Sequence, residues 1–235
     1  MGVVVLVAAG VAAAVGLSTD NSSTAQSTAA TTSSSATSSS APTTRVVPSQ
    51  VLPSEQQMKQ VTLFDLAKHG DVDTTVAPDG RTDPPACSLV SRPAGTSVVG
   101  RAISVAGLNY RDKPGDDYGA TAFAYVAVFD SAEAADAAQQ KLAQAVHNCT
   151  KFSNPEANKP DAPPLEWTVS NVNTTDHQVV WNTDQQTDDG TPWSCAKTAR
   201  TRDNLLVLGM LCAPNPADGP NKIIDVIFTN IDAKK

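Results

Sequence analysis

The segment Trp193-Ser-Cys-Ala-Lys-Thr-Ala-Arg-Thr-Arg-Asp-Asn-Leu-Leu-Val-Leu-Gly-Met-Leu-Cys212 predicts a β-hairpin that places two cysteines face to face. Its Asp203-Asn204 pair suits a two-residue turn, because both residue types tolerate a positive φ. Counting outward from this turn brings Cys195 opposite Cys212 at a non-hydrogen-bonded position. Cα atoms at such a position lie about 4.5 Å apart, which a disulfide can span. We therefore predict a disulfide between these two cysteines.

The chain has four cysteines, and the hairpin register decides how all of them pair. Four cysteines allow three connectivities. If Cys195 pairs with Cys212, then Cys87 is left to pair with Cys149. Structural disulfides persist in oxidising compartments, so this framework predicts an envelope or secreted protein.

The first 45 residues divide into an apolar segment and a polar stalk. Residues 1–17 include 15 consecutive apolar residues, fewer than the roughly 20 that a membrane span needs. They fit either a membrane anchor or a cleaved signal peptide. Such segments normally follow Lys or Arg, and none precedes them here, so we expect either that the true start lies further upstream or that the segment was cut from a longer protein. Residues 18–45 form the stalk, since 18 of the 27 residues from 18 to 44 are Ser or Thr.

Residues 46–235 form a single domain large enough to enclose a hydrophobic core. The whole chain carries a net charge of −7 at pH 7. This acidity argues against nucleic acid as a partner and against docking on anionic lipid through a basic patch.

Capping and periodicity predict three helices in this domain. Ser54 with Gln57 makes a capping box that opens a helix near residues 54–67. Asp130 with Glu133 makes a second box before an alanine-rich helix at 132–147. Isoleucines at helical spacing mark a final helix around 223–231.

Alternation and apolar runs predict the strands. Residues 121–129 are apolar on both faces, which indicates a central strand. Residues 151–164 contain four prolines and read as a surface loop. The other predicted strands lie at 87–91, 97–108, 165–172 and 177–181. The order of elements predicts an α+β fold, an antiparallel sheet packed with helices and carrying two disulfides.

Motifs for catalysis or metal binding are weak. The sequence has no Gly-x-Ser-x-Gly nucleophile elbow, and no base or nucleophile can be paired with any histidine. Neither acidic cluster follows the order of a calcium-binding loop, and oxidised cysteines cannot hold zinc. We predict no enzymatic activity, metal or cofactor. The histidines are His69, His147 and His177, and the acidic clusters are Asp116 with Asp117, and Asp184 with Asp188 and Asp189.

Aromatic residues are the candidate ligand contacts. Rings with a polar edge suit the wall of a cleft for a sugar, a lipid head group or a peptide. On this basis Trp181, Trp193 and Tyr125 are predicted to bind ligand, with the first two at the rim of a cleft; ordinary core packing is the alternative. Arg200 and Arg202 read either as solvated charges at an exposed hairpin end or as contacts for an anionic ligand.

Taken together, these features resemble the PknH-like extracellular sensor domain family of mycobacterial and actinobacterial envelope proteins. The resemblance covers residues 46–233. It rests on the apolar segment, the Ser/Thr-rich stalk, Leu52-Pro-Ser-Glu, Asp130-Ser-Ala-Glu-Ala-Ala, Trp193-Ser-Cys and the order of the four cysteines. It implies an α+β domain with two disulfides and a broad cleft for an unidentified ligand. The chain differs from the family's receptor kinase in having no kinase domain, and from its lipoproteins in having no acylation cysteine.

The sequence thus predicts a non-enzymatic, extracytoplasmic, sensor-like domain that binds an unidentified small molecule or cell-envelope component in a cleft. The N-terminal segment would connect it to the membrane. The alternative is a structural or protein-interaction domain of the envelope without a small ligand. A hydrolase of unfamiliar type would need a buried carboxylate or histidine with a polar partner in a pocket.

Overall fold

A computed structural model describes residues 44–115, 118–154, 163–186, 190 and 192–234. Several predictions concern residues outside these ranges. They are the anchor or signal at 1–17, the stalk up to residue 43, and the acidic residues Asp116, Asp117, Asp188 and Asp189.

The described residues form five α-helices and eight β-strands. The helices are α1 Glu55–Thr62, α2 Ser88–Ser91, α3 Thr96–Val99, α4 Ala132–Asn148 and α5 Gly219–Asp232. The strands are β1 Ala67–Asp73, β2 Ser104–Arg111, β3 Thr121–Val128, β4 Lys151–Asn154, β5 Leu165–Thr175, β6 Gln178–Gln186, β7 Pro192–Arg202 and β8 Leu205–Ala213. Short 3₁₀ turns occur at Pro48–Gln50 and Pro85–Cys87.

All eight strands join one antiparallel sheet in the order β1-β2-β3-β8-β7-β6-β5-β4. Helices α2, α3 and α4 pack on one face, and α1 and α5 pack on the other. Each face buries its own hydrophobic core, because side chains alternate between the two faces along every strand. The predicted α+β class is therefore confirmed.

Strand β3 shows how one sequence serves both cores. Tyr125 and Ala127 point to the core under α4, whereas Ala124, Val126 and Val128 point to the core under α5. The strand lies between β2 and β8, away from both sheet edges. Its apolar character on both faces follows from this interior position.

The β7–β8 hairpin has the register that the Asp-Asn turn predicts. Cys195 lies opposite Cys212 and is bonded to it, with Cα atoms 3.9 Å apart. Asp203 takes the left-handed conformation at φ 54°. The second disulfide joins Cys87 to Cys149, with Cα atoms 5.4 Å apart. It holds the end of α4 against the short helical layer that begins at Pro85.

The ends of two helices differ from the sequence prediction. The first helix ends at Thr62 rather than 67, because Leu63 adopts a left-handed conformation at φ 66° and the chain turns into β1. The long helix α4 is capped by Ser131, whose side chain accepts a hydrogen bond from the backbone N–H of Ala134. The predicted cap, Asp130, lies one residue too early.

Three predicted segments have a different structure. Residues 87–91, predicted as a strand, form the end of a 3₁₀ turn followed by α2, so the second disulfide reaches a helical layer and not a strand. Residues 97–108 begin in α3, and their strand starts only at Ser104. The first four residues of the predicted loop 151–164 form β4, with Phe152 buried. Pairing of β4 with β5 explains this strand.

Candidate functional site

A groove of about 620 Å³ runs between α4 and the turn that joins β5 to β6. We call it the α4 groove. Its volume lies within the range of small-molecule sites in proteins. Its lining residues come from one face of α4 and from the turn, and all but one of them are polar: Asp136, Gln139, Gln140, Ala143, Gln144, His147, Thr174, Thr175, Asp176 and His177.

Helix α4 supplies one wall because its lining residues recur every three to four positions. Asp136, Gln140, Ala143 and His147 follow this spacing, so they line up along one side of the helix. At 1.5 Å per residue the stripe is about 16 Å long. It borders the apolar stripe that packs on the sheet, and the groove therefore lies at the edge of the helix-sheet contact.

Side-chain contacts join helix and strands at both ends of the groove. At one end His147 Nε2 lies 3.0 Å from Thr174 Oγ1. At the other end the Thr201 hydroxyl, on β7, donates to Asp136 Oδ1 over 2.6 Å, and His177 Nδ1 lies 3.4 Å from the same oxygen. These contacts fix the distance between α4 and the strands on the other side of the groove.

Gln139 is the most unusual side chain of the groove. It is 1% exposed, and its side-chain amide nitrogen has no hydrogen-bond partner within the part of the chain that the structure describes. A buried, unpaired polar group costs about 1–3 kcal/mol. Such groups are rare in folded proteins, and each one calls for an explanation.

The polar groups of the groove do not form a catalytic relay. A relay needs a hydroxyl on one imidazole nitrogen and a carboxylate on the other. Here Thr201 and Asp136 both lie near the same nitrogen, His177 Nδ1, at 3.3 and 3.4 Å. The hydroxyl proton of Thr201 points to the carboxylate instead. The three side chains therefore contact one another without activating a nucleophile.

Two of the three aromatic residues predicted to bind ligand lie in the core. Trp181 is fully buried and Tyr125 is 3% exposed, both on the sheet face beneath α4. Trp181 belongs to an inner strand and lies where β5 bulges at Asn171. Its assignment to a cleft rim is therefore wrong. Burial, with a smaller contribution from Asp73, raises the pKa of Tyr125 well above its usual value.

Trp193 lies away from the other two. It is half-buried at the start of β7, and its ring centroid is 6.1 Å from that of Tyr118. Arg111 lies over the Tyr118 ring at 4.4 Å from its centroid. The three predicted residues thus do not converge on one cleft, and the α4 groove contains none of them.

The hairpin arginines hold a helix in place. Arg200 forms an ion pair of 2.6 Å with Asp225, and Arg202 one of 3.0 Å with Asp232. The Arg202 guanidinium also stacks on Phe228, 4.2 Å from the ring centroid. Both arginines therefore bind α5 rather than solvent or an anionic ligand.

Of the two acidic clusters, only Asp184 lies among the described residues, and it belongs to β6. Its carboxylate accepts hydrogen bonds from the hydroxyls of Ser170 and Ser194. In the ranges described, no three His, Cys, Asp or Glu side chains are placed to share a metal ion.

Gln139 and Lys197 are among the buried polar residues that sequence reasoning missed. The latter is 4% exposed on β7. The sequence does hint that Lys197 is buried. Side chains two positions apart on a strand share a face, and those of Cys195 and Ala199, on either side of Lys197, are apolar and buried.

Two disulfides and an antiparallel sheet covered by helices on both faces define a disulfide-bonded α+β domain. The family model for the PknH-like extracellular domain matches residues 3–230. The chain therefore belongs to this family, as the resemblance in its sequence predicted. Membership in a family of extracellular domains supports an extracytoplasmic location and a domain of the sensor type.

A solved structure shows the same fold. The extracellular domain of PknH from Mycobacterium tuberculosis matches with a TM-score of 0.69 at 19% sequence identity. The match covers 79% of this chain and 95% of that one. Among curated proteins, no sequence matches significantly. Of the helices in the described ranges, none has the length and apolar character needed to cross a membrane.

Proposed function

We propose that this chain is a non-enzymatic, extracytoplasmic, sensor-like domain that binds a small molecule or cell-envelope component in the α4 groove. The observation that carries the proposal is Gln139, which lines the groove and whose side-chain amide nitrogen is buried without a partner among the described residues. A ligand in the groove toward which the side chain turned this nitrogen would recover the free energy that its burial costs.

The construction of the groove favours binding over catalysis. Its two ends are held by contacts between α4 and the strands, and its volume of about 620 Å³ suits a small ligand. Preformed sites of this kind lose little conformational entropy when a ligand binds. The Asp136 and His177 side chains are hydrogen-bonding groups in this proposal, since their geometry with the Thr201 hydroxyl gives no activated nucleophile.

The N-terminal segment supplies the connection to the membrane in this proposal, with the stalk as a spacer. The described chain starts at the β7–β8 turn, where the Thr44 backbone N–H donates to Asn204 and the Thr44 hydroxyl donates to Asp203, both over 2.8 Å. The β5–β6 turn, which lines the groove, lies at the same end of the antiparallel sheet. The groove would thus open near the point where the stalk joins the domain.

A thermal-shift screen tests the proposal. Oxidised protein would be heated with neutral sugars, muropeptides, lipids and metal salts, each at several concentrations. A ligand bound only by the folded state raises the unfolding midpoint by mass action. Gln144→Trp fills the groove from an exposed position of α4, and Gln60→Trp places the same ring on exposed α1 as a matched control.

We expect at least one class to raise the midpoint of the wild type and of Gln60→Trp, but not that of Gln144→Trp. A shift that survives in Gln144→Trp would place the ligand elsewhere. No shift with any class would favour a structural or protein-interaction domain of the envelope.

A further inference from the structure

Building on the proposed function, we infer that the α4 groove takes a neutral, hydroxyl-rich ligand, namely a short saccharide, with Gln139 as its buried hydrogen-bond donor. The groove offers many neutral hydrogen-bonding groups. Three glutamine amides and two threonine hydroxyls lie among its ten lining residues. Amides and hydroxyls both donate and accept, as sugar hydroxyls do, so each can pair with a ligand hydroxyl in either direction.

The charges of the groove argue against an anionic ligand. The lining residues include two carboxylates, Asp136 and Asp176, and no Lys or Arg. Sites for phosphate or carboxylate groups are instead lined by Arg, Lys or clustered backbone N–H groups. An anion in this groove would meet two carboxylates, with only the imidazole rings of His147 and His177 as basic groups opposite them.

A cation is also poorly matched, because the half-buried carboxylate of Asp136 already has hydrogen-bonding partners. Asp136 Oδ1 accepts the hydroxyl proton of Thr201 at 2.6 Å and faces His177 at 3.4 Å. Asp176 is exposed at the turn, where water and salt weaken its attraction for a cation. Neither carboxylate offers a dry, vacant binding position for an ammonium group.

A lipid tail or an apolar peptide is poorly matched to the lining side chains, most of which end in polar groups. Ala143 is the one apolar residue of the groove. The groove surface combines the apolar stems of the polar side chains with their polar ends. A ligand that carries both hydroxyl groups and C–H faces, as a sugar does, fits this mixed surface better than an acyl chain.

Gln139 narrows the chemical class of the ligand further. Its side-chain nitrogen is a hydrogen-bond donor that has no partner among the described residues, and the side chain is 1% exposed. A neutral donor in such a position pairs best with a neutral acceptor that enters the groove, and a sugar hydroxyl is one. Because the amide nitrogen is buried and unpaired in the free protein, replacement of Gln139 by an apolar side chain of similar size should not weaken the fold.

The experiment is an ¹⁵N NMR titration of the oxidised chain with three sets of probes. The neutral set is trehalose, maltotriose and chitotriose; the anionic set is glucuronate and inorganic phosphate; the cationic set is spermidine. Gln139→Leu is the test variant, and Gln60→Leu on exposed α1 is the matched control. Gln139→Met is a second variant, in case the branched leucine disturbs α4. Thermal unfolding of each free protein is measured alongside.

We expect a neutral saccharide to shift the amide signals of residues 136–147 and 174–177. Its affinity should fall at least about tenfold in Gln139→Leu or Gln139→Met, as expected for loss of one buried hydrogen bond, and stay unchanged in Gln60→Leu. The midpoint of the free Gln139 variants should equal or exceed that of the wild type. This combination of weaker binding with undiminished stability would not arise from a merely structural residue.

Other outcomes distinguish failure of the saccharide inference from failure of ligand binding in the groove. If a charged probe shifts the groove signals and the saccharides do not, the saccharide inference fails and ligand binding in the groove stands. Equal saccharide affinity in the wild type and the Gln139 variants overturns the role of Gln139. If no probe shifts the groove signals, both the inference and the proposed function fail.

Discussion

The Lys197 Nζ atom donates a hydrogen bond to the backbone carbonyl oxygen of Val90, 3.0 Å away, and this contact ties β7 to α2. Lys197 is 4% exposed and lies in a predominantly apolar core. Among the described residues, no carboxylate pairs with it. Burial alone lowers its pKa from 10.5 to about 7. A buried amine is therefore neutral in the folded protein over a pH range in which it is charged in the unfolded chain.

This difference predicts that the stability of the domain rises with pH above neutrality. Between pH 7 and pH 10.5 the unfolded chain holds a proton on Lys197 that the folded protein lacks, so the free energy of unfolding increases with pH. The increase from this residue should be about 3 kcal/mol between pH 7 and 9.5. Lys197→Met should flatten this dependence. Urea unfolding at several pH values measures it.

Lys141→Met, on the exposed side of α4, serves as the control and should keep the slope of the wild type. The range must end below pH 10, because burial raises the pKa values of Tyr110 and Tyr125 and their ionisation in the unfolded chain then lowers stability. Equal slopes for Lys197→Met and the wild type would show that Lys197 is charged in the folded protein.

The sequence predicted best where the structure depends on local chemistry. The β7–β8 register follows from the turn at Asp203 and Asn204, since a two-residue turn leaves one pairing for the flanking strands. Helix α4 follows from its periodic apolar stripe and a cap one residue from the predicted one. In both cases the decisive residues are close together in the chain.

Prediction failed where distant contacts decide the structure. Residues 87–91 form a short apolar run, and periodicity cannot distinguish a strand from a buried helical turn at that length. The disulfide to Cys149 and the contact of Val90 with Lys197 hold them in the helical layer. Strand β4 likewise depends on pairing with β5, which its own four residues do not specify.

The candidate site was missed for the same reason. The polar side of α4 looks like a solvated helix face in the sequence, and it becomes a groove wall only because the β5–β6 turn lies beside it. The aromatic prediction failed differently. Alternation shows which residues share a face of the sheet, but not which positions on that face lie under a helix, and Trp181 lies in the core beneath α4.

The two disulfides should contribute unequally to stability. The loop between Cys87 and Cys149 spans 62 residues and that between Cys195 and Cys212 spans 17. Chain entropy gives about 4 kcal/mol for the first and about 3 kcal/mol for the second. The first also holds the α2 layer on α4, whereas the second joins strands that are already paired. Urea unfolding of double alanine variants compares the two pairs. Removal of the Cys87–Cys149 disulfide should lower the free energy of unfolding more than removal of the Cys195–Cys212 disulfide. The reverse order would contradict the entropic account.

Ser131→Ala should destabilise the protein by about 1 kcal/mol, because its side chain accepts the backbone N–H of Ala134 and caps α4. Asp130→Ala is the matched control and should change stability by less than about 0.5 kcal/mol. Thermal or urea unfolding distinguishes the two. A larger effect at Asp130 would restore the cap position that the sequence suggested.

Gly209→Ala should loosen the contact between β8 and α5. A Cβ atom at this position would lie 2.5 Å from the carbonyl oxygen of Pro220, in the first turn of α5, and backbone at that distance must move. We expect a loss of about 1–3 kcal/mol in the free energy of unfolding, as for other overpacked sites. Hydrogen exchange should show faster exchange of the α5 amides, since the helix must shift to make room.

Gly119→Ala tests whether the loss of stability in Gly209→Ala depends on the contact of residue 209 with α5. A Cβ atom there would come within 4 Å only of the Asp112 Oδ2 atom, at 3.0 Å. This half-buried carboxylate accepts a hydrogen bond from the Gly119 N–H through Oδ1 and needs to shift by only a few tenths of an ångström. Its stability should change by less than about 0.5 kcal/mol. If both variants lower the free energy of unfolding equally and leave the exchange of the α5 amides unchanged, the loss comes from replacing glycine itself. If only Gly209→Ala speeds the exchange of the α5 amides, α5 packs on β8 because residue 209 has no side chain.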